Sequence, residues 1–277
     1  MSAAISDTAS TPSSVNGKCT DLINFLSNMT YTVIGRCART NQIGIGVATY
    51  SLVSGSFTQG AQTAHGISMT QANVRKGNAP LANSLLAQGF SCRSVLNALV
   101  EDDKYKEYRQ IAVMTRNGET AVHTGTRVAG WSGDVQQQDF IAFGNVLEGE
   151  HVLVAMQKGF AGDPVVPLPE RLIRALEHGR DAGGQASGGT KMSERSAAIV
   201  VIGERNSTEW DFRVDLHDTA IEELRRIYEA FKPYQPYYQA RDEDPSRTPA
   251  QLAWEMENLA KLQPGTLHER SELRATT

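Results

Sequence analysis

Thr30-Tyr-Thr-Val-Ile-Gly-Arg36, a turn over residues 39–42, and Ile43-Gly-Ile-Gly-Val-Ala-Thr49 are the segments on which the fold depends. Both are dense in β-branched residues, which favour a pleated and half-buried backbone, and the polar turn between them predicts a β-hairpin. Gly44 and Gly46 leave one face of the second strand bare. Such a face lets another layer pack close, the commoner reason, or lets a ligand approach the backbone.

Downstream, a long Ser-, Gly- and Thr-rich loop over residues 51–62 suits the rim of a site, and Gly66-Ile-Ser-Met-Thr-Gln-Ala72 reads as a third strand. Helical spacing follows over residues 80–88 and 91–100, the second with Ser91 as its N-cap. Strands are expected over 109–114, 119–124 and 140–145, the first two joined by Asn117-Gly118, a strong hairpin signal. Helices are expected from 146 to 160 and from 167 to 180, then a Gly- and Ser-rich loop over 181–193. Ala197-Ala-Ile-Val-Val-Ile202 is apolar throughout, so it should be buried on both faces at the centre of a sandwich covered by helices. A strand over 210–216 and an amphipathic helix over 218–232 complete the domain.

This order is three strands, two helices, three strands, two helices, two strands and a helix. It fits an α+β fold, a four-layer αββα sandwich of two antiparallel sheets, each covered by a helical pair. No single β and α units alternate around a Gly-rich phosphate loop, which disfavours a doubly wound nucleotide-binding fold. Three parts are expected: a disordered or weakly ordered leader over residues 1–28, the domain over 29–232, and an arm over 233–277 with a short helix at 248–261. Tyr234, Tyr237, Tyr238 and Trp254 lie on that arm. Large amphipathic rings are enriched where partners meet, so a homodimer joined through the arm is expected, with docking onto its own domain as the alternative.

The 277 residues are 40% hydrophobic and 21% charged, with a net charge of -4. Lys and Arg are scattered, giving no electrostatic footprint for nucleic acid. The longest apolar runs fall far short of the roughly 20 residues that span a bilayer. The first residues lack the basic start and apolar run of a secretory signal. Three cysteines, Cys19, Cys37 and Cys92, are too few and too unevenly spaced for a disulfide framework or a metal knuckle. A reducing, cytoplasmic location is expected, with a small-molecule substrate, no membrane or nucleic-acid partner, no metal and no cofactor.

The ordered segments Thr30–Arg36, Gly44–Thr49, Thr70-Gln-Ala72, Tyr108-Arg-Gln110, His123-Thr-Gly125, Gly144-Asn145, Arg195-Ser-Ala197 and Arg213-Val-Asp-Leu-His217 resemble those of a domain-of-unknown-function family, numbered 1028, that is placed among N-terminal-nucleophile (Ntn) hydrolase-like folds. The resemblance runs from Met29 to about Tyr228. It implies an amidohydrolase acting on a non-peptide C–N bond through an acyl ester on Thr30; the alternative is a catalytically silent member that binds a small metabolite or a partner. Two departures stand out: Cys37-Ala38 where many members have Asp-Pro, and 29 residues ahead of Thr30 where most members begin at the threonine. An N-terminal nucleophile uses its own α-amine as base, so the peptide bond to Met29 has to be broken first.

Beside Thr30, the expected catalytic residues are His123, a proton shuttle at a strand end, and Asn145, which either stabilises an oxyanion or caps the next helix. Thr70, Gln71 and Asn73 are expected to bind a polar substrate or start a turn. Arg195 and Ser196 precede the apolar strand, where Arg195 either clamps a carboxylate or pairs with Asp215 or Asp218. Asp215 and His217 alternate on one strand face in a metal-like spacing, without the further ligands that a site requires.

Overall fold

The computed structural model describes residues 29–61, 65–187, 189–258 and 262. The expected leader, Cys19 and the end of the expected 248–261 helix lie outside them. Two antiparallel sheets make the framework. With strands numbered in chain order, the eight-stranded sheet runs β11 (Thr208–Val214), β10 (Ser196–Ile202), β2 (Gln42–Thr49), β1 (Thr30–Cys37), β7 (Phe140–Leu147), β8 (Gln185–Ser187) and β9 (Thr190–Met192). β6 (Trp131–Gln137) also pairs with β7, and the three-stranded sheet runs β3 (Gly66–Ala72), β4 (Arg109–Thr115) and β5 (Thr120–Thr124). The helices are α1 (Asn78–Ala87), α2 (Cys92–Glu101), α3 (Glu150–Ala161), α4 (Leu168–Asp181), α5 (Ala220–Phe231), α6 (Gln235–Glu243) and α7 (Gln251–Glu257).

The period-two alternation of side chains separates the core into three clusters. Tyr31, Val33, Ala142 and Ile199 project from one face of the large sheet onto Leu172 and Leu176 of α4 and Leu224 of α5. Ile34, Ile45, Phe143 and Val200, from its other face, meet Met69 and Met114 of the small sheet. Ile111 and Val113 turn the far face of the small sheet onto Leu86, Val95 and Leu99 of α1 and α2. β10 is buried at all seven positions, as its sequence demands, but helices cover only one of its faces and the small sheet covers the other.

The bare glycine face has a steric cause. A Cβ on Gly44 would stand 2.8 Å from Leu172 Cδ1 and 2.9 Å from the Val200 carbonyl oxygen, so α4 seats directly on the backbone. Gly44→Ala is accordingly expected to cost about 1–3 kcal/mol through overpacking, read as a lower melting temperature.

Several boundaries differ from the sequence expectation. β7 continues through Val146, which is skipped at a register shift, to Leu147, which pairs with Trp131 of β6 and Gln185 of β8, so α3 starts at Glu150 with Gly149 rather than Asn145 at its N-cap. β6 is a polar strand held by pairing on β7, and α6 carries Pro236 in its first turn, where a missing N–H costs nothing. Asn117-Gly118 makes the expected turn, with Gly118 at a φ of 88°, and the Ser91 side chain caps α2 by accepting from the Ser94 N–H.

The arm's rings pack on their own chain. Trp210 and Phe212 of β11 meet Phe231, which stacks on Tyr238 at 5.5 Å; Tyr234, Trp254 and Tyr237 continue the contact. Tyr234 and Tyr237 are buried there. The arm's rings therefore have partners within their own chain, contacts that cost no entropy of association.

Candidate active site

The space between the sheets changes character at one end. On the large sheet the facing residues of four neighbouring strands lie in one register row, Ser196–Thr49–Thr30–Asn145. On the small sheet the matching row is Gln71–Gln110–Thr124. Beyond Thr32, the next residue on the inner face of β1, the buried core between these faces is made of Ile, Val, Met, Phe and Ala. Two polar rows thus face one another across the end of an apolar core.

Burying amides and hydroxyls is costly unless they bond to one another. Here they form a network. Thr32 Oγ1 donates to Gln71 Oε1 at 2.6 Å, Gln71 Nε2 donates to Gln110 Oε1 at 3.1 Å, and Asn145 Nδ2 donates to the same oxygen at 2.9 Å. Gln110 Nε2 donates to the Gly144 carbonyl at 2.9 Å and to Thr124 Oγ1 at 3.2 Å. Thr30 Oγ1 donates to Thr49 Oγ1 at 3.2 Å, and Thr49 Oγ1 donates onward to the Met29 carbonyl oxygen.

A cavity of about 590 Å³ opens on these rows. Thr30, Thr49, Ser51, Ser54, Gln71 and Asn73 give it polar groups, Val47, Phe57 and Met69 an apolar wall, and Val74, Tyr105 and Tyr108 part of its mouth. Arg109, also at the lining, is held by Asp103 and by the Asn73 carbonyl. Burial pushes the Asp103 carboxyl up, but the hydrogen bond from Arg109 and the Tyr105 N–H outweigh it and hold it below the ordinary carboxylate range.

Backbone strain concentrates at this end. The described non-glycine residues with positive φ are Asn41, Val53, Ala72, Asp139, Val146 and Asn206. Asn and Asp tolerate that region; Val and Ala do not, and each such residue costs on the order of 1–3 kcal/mol. Val53 adjoins Ser54, Ala72 lies between Gln71 and Asn73, and Val146 follows Asn145.

The structure therefore brings Thr30, Gln71 and Asn73 to one cavity, with Asn145 buried beside Thr30 in the row. Ser196 lies one step behind, accepting from the Ser54 N–H at 3.1 Å and donating to the Ser51 carbonyl at 2.7 Å, so it pins the loop that forms the rim. Three expectations need correction. His123 alternates onto the helix side of the small sheet, where Nε2 sits 3.3 Å from the Lys106 carbonyl. Thr70 also faces that side and accepts from Asn78 Nδ2. Arg195 donates to the Tyr50 carbonyl and stacks over the Tyr50 ring at 4.0 Å, lining no part of the cavity and pairing with neither Asp215 nor Asp218. Asp215 is bound by Arg213, and His217 Nδ1 accepts from the Thr219 N–H. Among the described residues no three His, Cys, Asp or Glu side chains are grouped to hold a metal ion. Cys92 is a core residue whose thiol burial pushes up to about 12.

Residues 30–224 match a family of unknown function, DUF1028. The chain belongs to the DUF1028 family. A solved DUF1028 protein, SPO2555 from Silicibacter pomeroyi, shares 25% identity and superposes with a TM-score of 0.65 over 74% of this chain and 89% of its own. Anbu (ancestral beta-subunit) from Yersinia bercovieri aligns with 10% identity and a TM-score of 0.35, covering 76% of this chain and 97% of its own. No curated protein matches. The DUF1028 match includes both polar rows and every described residue that lines the cavity. No helix among the described residues is long and apolar enough to cross a membrane.

Proposed function

We propose that this DUF1028 protein is an amidohydrolase of the Ntn type, built as a four-layer αββα sandwich, that cleaves a non-peptide C–N bond through an acyl ester on Thr30. The observation that carries the reading is the position of Thr30: first residue of β1, inside the polar row, with its hydroxyl at the cavity. That oxygen donates to Thr49 and accepts no hydrogen bond among the described residues, so its lone pairs are not engaged by them. The neighbouring network of Asn145, Gln71 and Gln110 supplies neutral dipoles at fixed positions, the kind of group that stabilises a developing oxyanion.

Thr30 still carries Met29 on its nitrogen, and no described histidine or lysine lines the cavity to serve as base. The mechanism therefore requires release of Met29. Attack by Thr30 Oγ1 on the Met29 carbonyl carbon forms an ester and frees the Thr30 amine; water then cleaves the ester to a Met29 carboxylate. The Thr49 hydroxyl supports this route because it already donates to the Met29 carbonyl oxygen, where negative charge would build up. The free amine then takes the proton from Thr30 Oγ1 during attack on substrate.

Intact-mass measurement of protein made in its natural host tests the reading. The expected mass is that of the chain starting at Thr30. A folded protein that is active while the Met29–Thr30 bond stays intact overturns the free-amine mechanism, and an uncleaved, inactive one favours the binding-protein alternative.

A further inference from the structure

A second hydroxyl at the cavity, that of Ser54, is left without a partner among the described residues. Ser54 is fully buried, lines the cavity, and its Oγ makes no hydrogen bond among the described residues. Its backbone is firmly placed: the N–H donates to Ser196 Oγ, and Val53 before it is held at a φ of 55° with its own N–H on the Asp215 carbonyl. A buried hydroxyl without a partner calls for an explanation; Tyr31 and Tyr228 also carry one, but Ser54 alone of the three borders the cavity and follows a strained residue.

The charge balance of the lining narrows which ligand can meet it. Arg109 is the one ionised group among the described lining residues, and its guanidinium is already engaged by the buried Asp103 and by the Asn73 carbonyl. No carboxylate lines the cavity among the described residues. Release of Met29 adds the Thr30 α-amine, which has to be uncharged to act as the base. An anionic ligand would therefore leave water without meeting a free cation in the lining, and a cationic one without meeting an anion; both are heavily penalised. The apolar side is extensive. Val74, Tyr105 and Tyr108 stand 39%, 53% and 38% exposed at the mouth, leading to Phe57, Val47 and Met69 inside.

We propose that the cavity binds an uncharged carbonyl compound, a carboxamide with an apolar or aromatic body, and that the Ser54 hydroxyl donates to its carbonyl oxygen while the body lies along Tyr105, Tyr108 and Val74. This rests on the amidohydrolase reading for the identity of the scissile group, and it replaces an anionic substrate steered by Arg195 with a neutral one. Ser54 is a binding residue in this account, distinct from the nucleophile.

The test is the binding of one aromatic scaffold in three charge states, naphthalene carboxamide, carboxylate and carboxamidine, to the full-length protein and to its Thr30→Ala variant, followed by ligand-observed NMR. The carboxamide is expected to bind both proteins, and the two ions at least about 10-fold more weakly. Ser54→Ala should weaken the carboxamide about 5-fold, the loss of one neutral hydrogen bond, while leaving the melting temperature unchanged or raised because a buried unpaired hydroxyl is removed. Carboxylate or carboxamidine binding as tight as the carboxamide, or no binding by any of the three, overturns the ligand class. Unchanged carboxamide affinity in Ser54→Ala, or a clear fall in its melting temperature, overturns the assignment of Ser54. Thr30→Ala turns nothing over, so failure of this proposal is read separately from failure of the acyl-Thr30 mechanism.

Discussion

Thr30→Ala is expected to give a folded protein that keeps residues 1–29 attached and hydrolyses amides at least about a thousand-fold more slowly, the scale of loss when a nucleophile is removed. The two outcomes have one cause, because the same oxygen attacks Met29 and the substrate. The fold should hardly notice. Among the described residues the Thr30 hydroxyl makes one hydrogen bond, to Thr49, and a neutral bond of that kind contributes about 1 kcal/mol. Mass spectrometry and release of a fluorescent arylamine from neutral aryl amides read the two effects side by side. Amide hydrolysis that survives in Thr30→Ala would place the nucleophile elsewhere. Thr30→Ser, which retains the oxygen, should restore both functions in part.

The largest effect on stability is expected at Arg225. Its guanidinium bridges α4 and α5, donating to Glu177 at 2.8 and 2.9 Å and to the nearly buried Glu170 at 2.6 Å. Burial pushes the Glu170 carboxyl up, but Arg225 and then Arg174 outweigh it and hold it below its ordinary value. Arg225→Met removes the main counter-charge and leaves the buried Glu170 to Arg174 alone, at 2.6 Å, at a cost of about 3 kcal/mol at neutral pH. The pH dependence has a definite sign. A carboxyl depressed in the folded state stabilises above its unfolded pKa of about 4.3, and that contribution is lost as the pH falls through the folded value. Wild type and variant should therefore converge in urea unfolding as the pH is lowered below about 4. A gap that stays constant across that range would assign the loss to packing of the arginine stem instead of charge.

Much of the framework is legible in the sequence because local chemistry dictates it. β1, β2 and β10 are apolar and β-branched, Asn117-Gly118 has the backbone freedom of a tight hairpin, and Ser91 has the side chain of a cap. What escapes a linear reading is held by long-range partners. β6 has the polar sequence Trp131-Ser-Gly-Asp-Val-Gln-Gln137 and is a strand because β7 offers it an edge. α6 is rich in Tyr and Gln and is ordered by the rings around it. The site divides in the same way. Thr30, Gln71 and Asn73 stand out as polar residues at strand ends, whereas Thr49 is indistinguishable from a residue chosen for β-propensity until β2 is laid against β1. Ser51 and Ser54 belong to a loop whose composition marks a rim without marking a residue. His123 and Arg195 are attractive by residue type, but strand alternation turns the one away from the cavity while a tyrosine ring captures the other.

The left-handed conformations of Val53, Ala72 and Val146 bear on how such a protein would respond to selection for heat resistance. Each is a place where glycine or asparagine adopts the same backbone more easily, so variants that survive heating should accumulate there first. The same changes would loosen Ser54, Gln71 and Asn73, and Asn145, which are held in position before any ligand arrives. Thermal selection without a functional screen would thus erode the cavity end while leaving the apolar interior intact.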